Sequence, residues 1–183
     1  MNVSKSDRWQ ILRPTFLAFC TVFALGLGSW SVAAADPPTR EPISLPTEPF
    51  IFTDTLGNDP CGYPVLLAII TNKEIVTTFT RKSGVTSVHT TGALKVTLTN
   101  TVTGESIDRN ISGPILATVN SDGSTTQYGA GPALWVFDPG VAPDLPRLAI
   151  VKGKTVSVLG PGSAFQFISR TGSYENICAT LTA

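Results

Sequence analysis

Residues 59–70 read DPCGYPVLLAII. From Tyr63 to Ile70 the run is apolar at both alternating positions, so as a strand it needs cover on both faces or a central place in a sheet. Pro60 and Gly62 just ahead of it are turn residues, and they make 59–62 the approach to a core strand. Cys61 stands at that threshold. Where its sulfur finds a partner therefore bears on how the whole chain closes.

The compartment comes first, because it decides what a cysteine does. Lys5, Arg8 and Arg13 form a basic start, and residues 16–27 are apolar apart from Thr21 and Gly26. Ala33, Ala34 and Ala35 then precede Asp36, which is a small-residue cleavage pattern. Residues 1–35 are expected to be a signal peptide and the remainder to be secreted or extracytoplasmic. An uncleaved segment over 14–35 is the one route to a membrane, since that run carries no charge. Cys20 does not make a lipoprotein site, because Phe19 is too bulky for the small residue required ahead of the cysteine.

Beyond residue 35 only Cys61 and Cys178 remain, and two thiols in an exported chain predict one disulfide. A closed loop of more than a hundred residues is worth roughly 5 kcal/mol in the chain-entropy account. The bond also brings the two Cα atoms within about 7 Å. The approach to the first strong strand must then touch the final segment of the chain.

Between these ends the sequence is β-prone. Residues 36–49 hold Pro37, Pro38, Pro42, Pro46 and Pro49, so 36–56 reads as an extended linker, with 50–52 as a short edge strand. The domain proper is expected over 57–183. Runs at 63–70, 74–80, 85–91, 93–100, 105–111, 115–119, 124–128, 133–137, 148–152, 155–159 and 164–169 are separated by turn chemistry. The clearest is 93–100, where Leu94, Val96 and Leu98 alternate with Lys95, Thr97 and Thr99. Asp122-Gly123 suits a tight hairpin turn. Only 173–181 has helical character, with Ser173 as cap and Ile177, Ala179 and Leu181 to pack.

Nine to eleven short strands with hairpin-length connections predict an all-β antiparallel meander. Such a meander hides its edges by closing or by stacking two sheets. The cysteine pair favours a closed or nearly closed barrel, with a β-sandwich as the alternative and a short C-terminal helical segment in either case.

CGYPV at 61–65, LKVTLTNTVTGESIDRNISGP at 94–114, NSDGSTTQYGAGPALWVFDPG at 120–140 and ENICATL at 175–181 occur in that order. Together they resemble a family of small secreted actinobacterial proteins of unknown function. The resemblance implies an exported β-rich domain from a Gram-positive or mycobacterial-type organism. It implies no activity, and so it carries over no catalytic or binding residue.

The residues themselves assemble little chemistry. Removing residues 1–35 leaves 10 basic and 12 acidic side chains, a net charge of −2, which excludes a charge-driven nucleic-acid partner. His89 is the sole histidine and lies in a polar run; a hydrolase would need it oriented by a carboxylate and facing a serine. No G-x-S-x-G, metal-ligand or phosphate-loop spacing occurs. Asp108, Asp122, Asp138 and Asp144 fall mostly in turns, where aspartate serves backbone geometry, and Glu175 is the remaining acid in reach of a pair.

No catalytic, cofactor or metal residue is therefore expected. Tyr128 and Trp135 flank Gly129-Ala130-Gly131 and frame a conceivable ligand mouth, although aromatics in two-faced strands usually pack as core. If the barrel holds a cavity, Tyr63, Trp135, Phe165 and Phe167 are its expected lining. An apolar or amphiphilic small molecule, or a cell-envelope component, would then be the partner. The functional expectation is a non-catalytic binding or cell-surface module. A cryptic hydrolase using His89 and a purely structural envelope protein are the alternatives.

Overall fold

The computed structural model describes residues 37–54, 57–160 and 165–182, all within one unit spanning Ala33–Ala183. The signal peptide expected over 1–35 lies outside the described residues. The strands are β1 (Thr39–Pro42), β2 (Phe50–Phe52), β3 (Val65–Asn72), β4 (Ile75–Thr80), β5 (Thr86–Thr91) and β6 (Leu94–Asn100), then β7 (Ser106–Asn110), β8 (Ile115–Val119), β9 (Thr125–Val136), β10 (Leu148–Leu159), β11 (Phe165–Arg170) and β12 (Ser173–Asn176). A single turn of helix, α1 (Ile177–Thr180), follows.

Two antiparallel sheets result. One runs β1-β4-β5-β8-β9-β10-β11, with β12 also paired to β10; the other runs β2-β3-β6-β7. They are not independent stacks, because β3 and β4 are two parts of one long bent strand. So are β5 and β6. Asn72 pairs with Leu94 in one sheet and Ile75 with Thr91 in the other, and the Lys73 amide donates to the Ala93 carbonyl at 2.8 Å between them. A single ribbon thus bends from sheet to sheet at residues 73–74 and 92–93. Gly92 makes the bend possible. It sits at φ 133°, and a Cβ there would lie 2.1 Å from the Lys73 carbonyl oxygen.

A second crease crosses the larger sheet. Gly131 on β9 pairs with Gly153 on β10, and Gly153 faces the Thr171–Gly172 link between β11 and β12. Gly153 has φ 138°, and a Cβ would meet the Thr171 carbonyl oxygen at 2.1 Å. On one side of this line β10 pairs with β12, and on the other with β11.

Alternation along β10 then serves two cores. Leu148 and Ile150 join Phe52, Val65, Leu67, Val96 and Leu98 of the smaller sheet and Ile177 and Leu181 around α1. Ala149 and Val151 point the other way, into a cluster with Phe137 and Leu145. Ionic contacts tie the periphery. Arg109 on β7 donates two hydrogen bonds to Glu175 on β12, at 2.8 and 2.6 Å, and Lys152 on β10 lies 3.5 Å from the same carboxylate. Arg147 pairs with the buried Asp54.

Four expectations change. The barrel does not form: the first and last strands of the larger sheet, β1 and β11, lie at opposite ends of its order, and four strands belong to a separate sheet. Hairpin-length links do not force sheet neighbours where they are bends within one strand, which is the case at 73–74. The expected helix over 173–181 divides, because Ser173–Asn176 extends β11 along β10 as β12. Asn176, not Ser173, caps the helix, its side chain accepting from the Ala179 amide at 3.1 Å. The stretch read as linker lays Thr39–Pro42 along β4 as an exposed edge strand, where Pro42 and two charges discourage further pairing. The membrane route gains no support: among the described residues no helix is long and apolar enough to cross a membrane, and the run over 14–35 lies outside them.

Replacing Gly153 by alanine is expected to cost about 3 kcal/mol or more, because the new methyl meets backbone. Gly84→Ala, at φ 80° with open space around the Cβ, should cost only about 1 kcal/mol. Urea titration of both variants checks the contrast. Glu175 supplies a second expectation. The Arg109 hydrogen bonds, aided by the Arg109 and Lys152 charges, hold its carboxyl below the ordinary 4.5. Its contribution is therefore complete at neutral pH and fades as the pH falls below that ordinary value through the lowered one. Glu175→Gln should lower stability at pH 7 and flatten the acid side of the stability profile.

Candidate functional site

The larger sheet beyond the glycine crease has a face whose composition follows from register alone. Directly paired residues of antiparallel strands project to the same side. Arg40 pairs with Thr77, Thr77 with His89, His89 with Leu116, Leu116 with Tyr128, Tyr128 with Val156 and Val156 with Ser169. One continuous row of side chains therefore crosses seven strands. A neighbouring row on the same side carries Phe79, Ser87, Thr118, Thr126, Val158 and Gln166.

Among the described residues this face is left open. Phe79, 40% exposed, stands on the neighbouring row two strands from Leu116, whereas Leu116 (39% exposed) and Tyr128 (51%) are directly paired. Between them lies a shallow groove of about 320 Å³, lined by His89, Pro114, Leu116, Tyr128, Lys154 and Val156 among others. Hydroxyls border the apolar groups; Ser87 and Thr118 lie 3.3 Å apart, oxygen to oxygen. Among the described residues no Asp or Glu occupies a strand position on this side, whereas Arg40, His89 and Lys154 do.

The His89 imidazole has no hydrogen bond or ion pair among the described residues. A hydrolase needs a carboxylate behind the imidazole and an activated hydroxyl ahead of it, and neither contact is made. Three of the five acids considered for catalysis are committed elsewhere. Asp108 accepts from the Thr97 hydroxyl at 2.7 Å. Asp122 accepts from the Ser124 hydroxyl and amide in the β8–β9 turn, which holds its carboxyl below the ordinary value. Glu175 serves Arg109. Among the described residues no three His, Cys, Asp or Glu side chains are grouped to hold a metal.

The four aromatics expected to line one cavity divide between the two cores. Tyr63 packs with the first cluster, and its hydroxyl donates to the Cys178 carbonyl at 2.7 Å. Burial raises its phenol above the ordinary 10.0, so it remains a donor. Trp135, Phe165 and Phe167 do come together, but against Phe137. Trp135 stacks on Phe137 at 6.0 Å, and Phe167 meets Trp135 edge-on at 5.5 Å and Phe137 edge-on at 5.1 Å. These rings fill space by packing on one another. Phe167 alone reaches a groove of about 420 Å³ beneath the 141–145 loop. Tyr128 and Trp135 frame no common mouth: seven residues apart on β9, they project from opposite faces.

No local sequence signal finds the open face: the half-buried strand at 86–91 looks ordinary until it is set beside Leu116. Only pairing exposes it.

Cys61 and Cys178 are joined as a disulfide with Cα atoms 5.2 Å apart. The bond ties the turn before β3 to α1, with Tyr63 and the buried Asn100, whose amide donates to the Leu181 carbonyl at 3.3 Å, on either side. Compared with protein-family models, curated proteins and solved structures, the chain finds no match.

Replacing both cysteines by serine should lower the unfolding free energy by up to about 5 kcal/mol, read from urea titration against the oxidised chain. A loss below about 1 kcal/mol would mean that α1 is held by packing and these hydrogen bonds alone.

Proposed function

We propose that this chain is an exported, non-catalytic binding module whose contact surface is the open face bearing His89, Leu116, Tyr128 and Val156. One observation carries the reading: the apolar side chains of Leu116, Tyr128 and Val156 stand next to one another on a sheet face that no described residue covers. Scattered exposed apolar residues are ordinary on any surface, whereas contiguous ones mark contact sites. Export is supported by the basic, apolar and small-residue order of residues 1–35 and by the disulfide. A binding role is supported over a catalytic one by the lack of any hydrogen-bonded partner for the His89 imidazole among the described residues, since general-base chemistry is built from such contacts.

The test is an array of soluble polysaccharides and peptides probed with the oxidised full chain. Binding is expected without turnover of the bound probe. The paired change Leu116→Ser with Tyr128→Ala should abolish it at unchanged melting temperature, because both positions are exposed. Val102→Ser, on a 73% exposed turn elsewhere, should leave it intact. Binding that survives the paired change, or none across the array, overturns the reading.

A further inference from the structure

We infer that the occupant of this face is a linear acidic polysaccharide, lying across the strands along the Arg40–Ser169 row; the inference rests on the binding reading above. Shape is the first argument. The row spans six strand spacings of about 4.8 Å each, or roughly 29 Å. A pyranose unit in a linear chain is close to one strand spacing in length, so successive sugars meet successive side chains. The groove at its centre is shallow and open, whereas pockets for compact ligands enclose most of the ligand surface. An acyl chain here would stay half in water and lose the gain of burial.

Chemistry is the second argument. Tyr128, Leu116, Val156 and Phe79 offer flat apolar surface to the C–H faces of sugar rings, which favour the electron-rich face of an aromatic. Thr77, Thr118 and Thr126, all half-buried, set hydroxyls beside them that both donate and accept. Charge complementarity is the third. Arg40 and Lys154 stand on this face without an ion-pair partner among the described residues, and no carboxylate shares the strand positions. Cations left unpaired on an exposed surface attract an anion at little desolvation cost. A peptide would instead seek an unpaired strand edge, where its backbone could hydrogen-bond, and these groups lie on a face.

The experiment titrates the oxidised full chain by calorimetry with a linear oligogalacturonate, with cellohexaose as the neutral counterpart and with single-stranded oligo-dT. Hydrogen exchange maps the contact in each arm. The oligogalacturonate should bind about tenfold more tightly than cellohexaose and weaken as salt rises. Protection is expected over 87–90, 115–118, 126–130 and 154–158. Tyr128→Ala should lose about tenfold in affinity, and Lys154→Gln or Arg40→Gln about threefold each. Lys82→Gln, in the exposed β4–β5 turn, should change nothing. Equal affinity for cellohexaose, or no effect of Lys154→Gln and Arg40→Gln, overturns the acidic-glycan inference while the binding reading stands. Tighter binding of oligo-dT on the same face does likewise. If none of the three probes protects this face, the inference is overturned. If the array also yields no ligand for it, the binding reading falls too.

Discussion

Everything in this fold depends on backbone approaching backbone where no side chain fits. A long antiparallel ribbon can serve two sheets only if it bends without giving up its ladder, since an orphaned buried amide costs as much as a lost hydrogen bond. At residues 73–74 and 92–93 the ladder continues through the Lys73–Ala93 hydrogen bond because Gly92 leaves the Lys73 carbonyl free to approach. Gly153 does the same for β10 opposite the Thr171–Gly172 link. With these bends in place, β10 reaches Leu148 and Ile150 into one core and Ala149 and Val151 into another. Beyond the crease, Phe165 and Phe167 on β11 still pack on the second core, while the row through His89, Leu116 and Tyr128 belongs to neither.

The disulfide acts on top of that geometry. It requires only that the chain near Cys61 touch the chain near Cys178, and there are two ways to meet the requirement. First and last strands can pair edge to edge, which closes a barrel. Alternatively the turn ahead of β3 can pack against a helix that follows β12, which needs no closure. This chain takes the second way. The bonds from Tyr63 to Cys178 and from Asn100 to Leu181 show α1 seated as a plug on the first core, not as the end of a sheet.

Much of the local structure was legible in the sequence. The alternation at Leu94, Val96 and Leu98, the Asp122-Gly123 turn and the ending of β9 ahead of Asp138-Pro139-Gly140 all report short-range physics, and the structure agrees. How strands are shared between sheets was not legible, because Lys73-Glu74 reads as a turn whether the chain reverses there or merely bends. The 173–176 segment was misread for a related reason. Ser173 is a good helix cap in isolation, but four pairings with β10 outweigh that preference. The open face was invisible for a stricter reason still. His89, Leu116, Tyr128 and Val156 lie far apart in the chain, and each alone resembles an ordinary half-buried strand residue.

Pairing therefore changes the meaning of residues that composition treats as unremarkable. The opposite face carries Val88, Ala117 and Val119, with Glu41 at the edge; Val119 there is 39% exposed, but Thr155 and Ser157 on β10 are buried. A one-residue slip in any ladder exchanges these sets. The register that is adopted puts Tyr128 and the unpaired Lys154 on one side, beside hydroxyls, and keeps the carboxylate of Glu41 on the other. Thr155 and Ser157, buried on that other side, bind the sheet beyond the crease to its own interior and not to the groove. A mixed apolar, hydroxylated and cationic surface gains little from each contact. It suits an extended ligand that repeats the same contact along its length, because many small terms can sum where no single anchor is available.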